Sequence, residues 1–300
     1  MHCIRLMLSV QSQAWRWVLA SAVFAVLAAG GCNSSHETVK PASPAVAPAT
    51  PAPTAEQRYR APTEAELPQD ASGAAVRRGQ QIVTRTYETL PDHTPSGLHC
   101  TSCHLEGGTK ANASPWLGIE SKYPAYRARS GKVDSIEDRI NDCFERSLNG
   151  KPLDPNSSDM AAVVAYMRFI SRDVPAGETP GRGFARIQPE EAPNRARGEL
   201  LYKQQCSACH GTDAHGQSPA GLYVFPALAG ARAFNLGAGM ARLNTAAAFI
   251  RANMPLGQGG TLTVQQAYDV ADYVIHLDRP DFAQAMHDWP KGDKPSDARY

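Results

Sequence analysis

What this chain lacks narrows it before anything it contains. Its 300 residues carry a formal net charge of only +1, so no bulk polyanion-binding surface is implied and nucleic acid is not expected as a partner. The apolar, Ala-rich run from Val18 to Gly31 is short for a membrane span. No segment alternates like a strand, which predicts an all-α fold. The Cys-x-x-Cys pairs have no further Cys or His clustered beside them in sequence, which argues against zinc.

What is present starts with an export signal over residues 1–31, with Arg5 and Arg16 ahead of the apolar run. That run ends in Ala29-Gly30-Gly31-Cys32, which resembles a bacterial lipoprotein cleavage box with Cys32 as the lipidated residue. Cleavage nearby without lipidation, giving a soluble periplasmic protein, is the alternative. Residues 32–71 form a Pro/Ala-rich linker, too poor in apolar residues to build a core and suited to a tether.

Two motifs then decide the chemistry: Cys100-Thr101-Ser102-Cys103-His104 and Cys206-Ser207-Ala208-Cys209-His210. Each reads as a c-type haem attachment site, with two thioether cysteines and a proximal histidine ligand. Two haem c groups bring redox chemistry that no side chain supplies. Of the seven cysteines, Cys3 lies in the signal, Cys32 in the cleavage box and four in the haem motifs. Cys143 is left over.

The body is an internal repeat. A helix containing Gly79 or Gly198 opens each half, and a haem motif follows it. A Pro-Leu-type turn comes next (Pro115, Pro226), and an amphipathic helix closes the half (about Ser158 to Arg172, about Val264 to Leu277). This order resembles two tandem class I cytochrome c domains, over residues 72–175 and 193–285. A linker at 176–192 joins them and a tail at 286–300 follows. Such domains cross their first and last helices at a glycine, with Tyr166 and Tyr273 as candidate partners. Domains this small have little core, so the haem supplies much of the apolar interior.

The two halves differ in the slot just before the closing helix. The second half has Met254, 44 residues after His210, as candidate sixth ligand, with Met240 as runner-up. The first half has no Met there; it has Cys143, 39 residues after His104. Met160 and Met167 sit in the closing helix and read as core. A thiolate stabilises ferric iron, and Met with His raises the potential. The first haem, His104/Cys143, is therefore expected to be the low-potential centre and the second, His210/Met254, the high-potential one.

The stretch Cys143-Phe144-Glu145-Arg146-Ser147-Leu148-Asn149-Gly150, the repeat and the Asn253-Met254-Pro255-Leu256-Gly257 loop together resemble the dihaem thiosulfate dehydrogenases of the TsdA family. The likeness covers about residues 72–285. It implies coupling of two thiosulfates to tetrathionate, or the reverse, with electrons leaving to an external carrier such as a small cytochrome c. It also implies Cys143 and Met254 as the distal ligands, and Arg129, Arg139 and Ser147 as active-site residues. Some members carry Lys just before the Met; this chain has Asn253. Physical reasoning agrees in kind, because two dianions can be coupled only beside fixed positive charge, and the stretch holding Lys122, Arg127, Arg129 and Lys132 supplies it. Two other functions stay open: a dihaem electron carrier without its own substrate, and a SoxA-like sulfur-oxidation cytochrome.

Overall fold

The computed structural model describes residues 59–218 and 224–300. The signal, the cleavage box with Cys32 and most of the linker lie outside the described residues. Six longer helices carry the architecture: α1 (Ala71–Thr84), α2 (Ile136–Asp142), α3 (Ser158–Ser171), α4 (Arg195–Gln205), α5 (Leu243–Asn253) and α6 (Val264–Ile275). Among the described residues, none is long and apolar enough to cross a membrane.

Side-chain caps start these helices where the sequence offers them. Asp70 accepts from the amides of Ser72 and Gly73 at the head of α1. Ser157 and Asn194 cap α3 and α4 in the same way. Thr263 and Gln266 form a reciprocal capping box at the head of α6. At its other end α5 stops at Asn253, since a residue preceding proline is pushed out of helical geometry and Met254, before Pro255, is extended.

Each half is organised by one helix crossing, α1 on α3 and α4 on α6, as the repeat predicts. Glycine permits both. A Cβ on Gly79 would lie 2.0 Å from the Ala162 carbonyl oxygen, and one on Gly198 would lie 1.9 Å from that of Asp269. The aromatic partners differ, however. In the first half Tyr166 of α3 donates to the Gly107 carbonyl at 2.8 Å. In the second half Tyr202 of α4, stacked near Tyr273, donates to the Gly211 carbonyl at 2.8 Å.

Three features depart from the sequence expectation. A short antiparallel hairpin, β1 (Ala125–Arg127) and β2 (Lys132–Asp134), stands in the otherwise helical fold, and Arg129 rides on its turn. Strands of three residues are too short to show alternation. Second, the halves are not packed as separate cores: Phe234, Ala238 and Ala241 belong to the apolar cluster built on Ile82, Val83, Phe144 and Met160. Third, residues 286–300 do not trail as a tail. The Trp289 amide donates to the Arg129 carbonyl at 2.8 Å, and Asp288 receives both terminal nitrogens of Arg146 at 2.7 Å.

Candidate active site and haem-binding sites

In the first half, Cys100, Cys103 and His104 line one cavity of about 520 Å³ together with Cys143. Its other walls are largely apolar, with Val83, Leu98, Ile119, Ile136, Ile140, Val163 and Met167 among them. The residues fit a covalently held haem. Cys100 and Cys103 both face this cavity, where each would form a thioether to the haem. The His104 Nδ1 lies 2.6 Å from the Ser114 carbonyl, which places the ring proton there and leaves the Nε2 lone pair for iron. Burial lowers the His104 pKa to about 4, so the ring is neutral, as a ligand must be.

The second motif repeats the arrangement. The His210 Nδ1 lies 3.0 Å from the Pro226 carbonyl, and burial again lowers its pKa. Cys206 is half-buried and Cys209 exposed. The prolyl turns that mark the repeat thus orient the proximal histidines. Met254 follows the last residue of α5 directly, ahead of α6. Met240 is withdrawn from competition for this site: it lines the cavity of the first half and packs on that half's core. Met160 is fully buried in the core and Met167 lines the first cavity.

The distal side of the first cavity is built by one helix. Immediately after α2 the backbone makes a π-helical turn over Cys143–Ser147, a local widening frequent at functional sites. Arg139, Cys143 and Ser147 are spaced four apart, on one face, and all three line the cavity. The Arg139 guanidinium donates to the Cys143 Sγ at 2.8 Å. That sulfur is the leading cause of a raised Arg139 pKa. Among the described residues Arg139 makes no ion pair with a carboxylate.

Opening from this cavity is a second, polar one of about 210 Å³, lined by Arg127, Arg129, Arg139, Arg146 and Arg242 with Asp142, Ser147, Gly239 and Trp289. Arg127, Arg139, Ser147 and Gly239 border both cavities. Arg129 borders only the polar one; burial lowers its pKa, and its guanidinium donates to the Gly237 carbonyl at 2.8 Å and lies 4.8 Å over the Trp289 ring. Four aspartates, Asp134, Asp142, Asp288 and Asp297, lie within 3.6 Å of these guanidiniums. One net positive charge is left before the Cys143 sulfur is counted. Of the basic stretch in the sequence, Lys122 lines the haem cavity, whereas Lys132 is exposed and pairs with Asp138.

Arg242, Trp289 and Gly239 carried no local signal, since they reach the site from far beyond Cys143 in sequence. The four-residue spacing of Arg139, Cys143 and Ser147 was available to a helical reading.

Two haem-binding motifs on two such helical units define a dihaem c-type cytochrome. Comparison with known proteins agrees. Residues 90–176 match the family described as SoxA/TsdA, cytochrome c domain, and residues 193–274 match cytochrome c oxidase, cbb3-type, subunit III. A thiosulfate dehydrogenase of Psychrobacter arcticus is 51% identical over 79% of this chain and 73% of its own length. One from Allochromatium vinosum is 42% identical over 76% and 86%. The solved thiosulfate dehydrogenase TsdBA of Marichromatium purpuratum superposes with a TM-score of 0.72 at 36% identity over 79% of this chain. The match spans about half, 51%, of that longer protein. The chain belongs to the TsdA family of dihaem cytochromes c.

Proposed function

We propose that the chain couples two thiosulfate ions to tetrathionate, and runs the reverse, beside Cys143, exchanging electrons through the second haem site with an external carrier such as a small cytochrome c. The observation that carries this reading is the Arg139–Cys143 contact at the mouth of an arginine-lined cavity. The guanidinium that donates to the Cys143 sulfur also offers planar donors to a sulfonate.

His104 and Cys143 are the residues that would ligate the first haem iron, and His210 and Met254 the second. When bound, the two haems supply one-electron acceptors that take an electron pair singly and pass it on. The protein groups do the rest. Arg139 and Ser147, bordering both cavities, hold the sulfonate of the first thiosulfate. Arg129 adds positive charge from the polar side. The Cys143 Sγ bonds the outer sulfur; thiolate and dianion become a monoanionic Cys143–Sγ–S–SO₃⁻ adduct as two electrons leave. A second thiosulfate bonds the same outer sulfur. The bond to Sγ breaks, Cys143 departs as thiolate and tetrathionate is released as a dianion.

Steady-state assays on the purified dihaem protein test this, with thiosulfate plus a dye oxidant and, separately, tetrathionate plus a reductant. Turnover in at least one direction is expected. None in either, with both haems attached, would leave a plain electron carrier. The sequence further supports a periplasmic location with a lipid on Cys32 and the Pro/Ala segment as tether. Fractionation should then move Cys32→Ser from membrane to soluble fraction; a wild type that is already soluble rejects the anchor.

A further inference from the structure

We propose that the polar cavity is a separate seat for the second sulfonate, built by Arg129 and Arg242 against the wall of Trp289; this rests on the coupling reaction above. The direction of the chemistry requires such a seat. When the second thiosulfate displaces Cys143, its attacking sulfur approaches the outer sulfur of the adduct from the side opposite Sγ. Its sulfonate therefore lies farther from Cys143 than the first sulfonate does.

The arginines divide along that line. Arg139 and Arg127 border the cavity that contains Cys143, while Arg129 and Arg242 border only the polar one. The polar cavity, at about 210 Å³, is several times the ~30 Å³ that one water occupies in the liquid. Both arginines keep donors for an anion. Asp297 takes the Nε and Nη2 side of Arg242 at 2.8 Å, which leaves Nη1. Arg129 gives Nη1 to the Gly237 carbonyl and has Asp288 3.6 Å from Nε, which leaves Nη2. Arg146 is different. Its three nitrogens all engage Asp142 and Asp288, and its guanidinium lies 4.1 Å over the Phe282 ring; it holds the wall.

The seat is thus composite. Arg129 comes from the hairpin turn of the first half, Arg242 from the entrance to α5 in the second, and Trp289 from the C-terminal segment. Arg129 and Trp289 are tied by the 2.8 Å amide-to-carbonyl bond and by the ring contact. A site for one sulfonate needs none of this; a site that must hold two anions a disulfane apart does.

The test separates the two half-reactions in the full dihaem protein, using Arg242→Gln and Arg242→Lys. One equivalent of thiosulfate with a one-electron dye oxidant should load Cys143 to the wild-type yield in both variants, read by intact mass. Excess thiosulfate should then release tetrathionate about 10²-fold more slowly from Arg242→Gln, and Arg242→Lys should recover part of the loss. In the reverse direction KM for tetrathionate should rise in Arg242→Gln. Wild-type release from Arg242→Gln overturns the seat. So does a loss of loading as large as the loss of release, which would assign Arg242 to the first sulfonate or to folding. If the wild-type protein neither loads nor releases, the coupling reaction itself falls and takes the seat with it.

Discussion

The two halves solve the same problem with the same parts and then diverge at one slot. In both, a glycine lets the opening helix touch the closing one, and a carbonyl in a prolyl turn fixes the proximal histidine. On the distal side the second half ends α5 before a proline and offers a thioether. The first half instead runs α2 into a π turn and offers a thiol backed by a guanidinium. On the reading proposed above, the first half is the reactive one because Arg139 meets the Cys143 sulfur beside an arginine-lined cavity, to which Arg242 of the second half and Trp289 of the C-terminal segment contribute.

The comparison breaks most sharply at the ligand slots themselves. Cys143→Ala should lose nearly all turnover in both directions, since it removes the adduct-forming sulfur. Met254→Ala should leave adduct loading on Cys143 intact and abolish the high-potential wave in a redox titration. If Cys143→Gly or Cys143→Met keeps wild-type rates, the thiolate has no catalytic role and the two halves are equivalent. Next in size is the charge around the first slot. Arg139→Ala should lower turnover by about 10²–10³, roughly 2.7–4 kcal/mol, as removal of one charged donor from a site of this kind does. Both haem spectra should persist. Arg129→Ala should fall on the same scale, and steady-state rates on spectroscopically intact protein decide both.

Much of this division was legible before the fold was. The haem motifs are local and demand their chemistry. The glycine-bearing openers and the apolar stripes of the closing helices are local too, so α1, α3, α4 and α6 could be placed from sequence. Cys143 stood out because its twin position holds a methionine. What stayed hidden is non-local. The β1–β2 hairpin is too short to show a period, and its role is to aim Arg129. Arg242 and Trp289 look like ordinary surface residues until the chain folds them against Arg129. Residues 286–300 read as a tail because their partners Arg129 and Arg146 lie more than 140 residues earlier. Met240 read as the runner-up ligand for the second haem, whereas the packing of Phe234, Ala238 and Ala241 on the first half carries it to the other cavity.

Smaller effects test whether the shared scaffold is equally strained in both halves. Gly79→Ala and Gly198→Ala each force a methyl group to about 2 Å from a backbone carbonyl. Each should cost about 1–3 kcal/mol as the helices separate. Chemical denaturation followed by haem absorbance and by circular dichroism gives the values. The first half has the larger apolar cluster on which to re-pack, so Gly79→Ala should sit at the lower end and Gly198→Ala at the upper. The reverse order would mean that the haem, and not the side-chain core, sets the tolerance.

The finest probe of the comparison is Asn253, which belongs to one half and bonds to the other. It is 2% exposed. Its Nδ2 donates at 3.0 Å to the Phe249 carbonyl in its own helix and at 3.0 Å to the Asn112 carbonyl in the first half. Its Oδ1 is buried without a partner among the described residues. The loop it grips also carries Ser114, whose carbonyl holds His104. One amide therefore links the residue before Met254 to the loop that orients the other proximal histidine. Removing it in Asn253→Ala deletes two hydrogen bonds, leaves the Asn112 carbonyl unpaired and relieves the orphaned Oδ1. These terms oppose one another, and a net loss near 1 kcal/mol is expected. The more telling readout is hydrogen exchange: amides over residues 109–116 should exchange faster, although they lie in the other half. Protection unchanged there, together with an unchanged unfolding midpoint, would show that Asn253 serves α5 alone and does not couple the two halves.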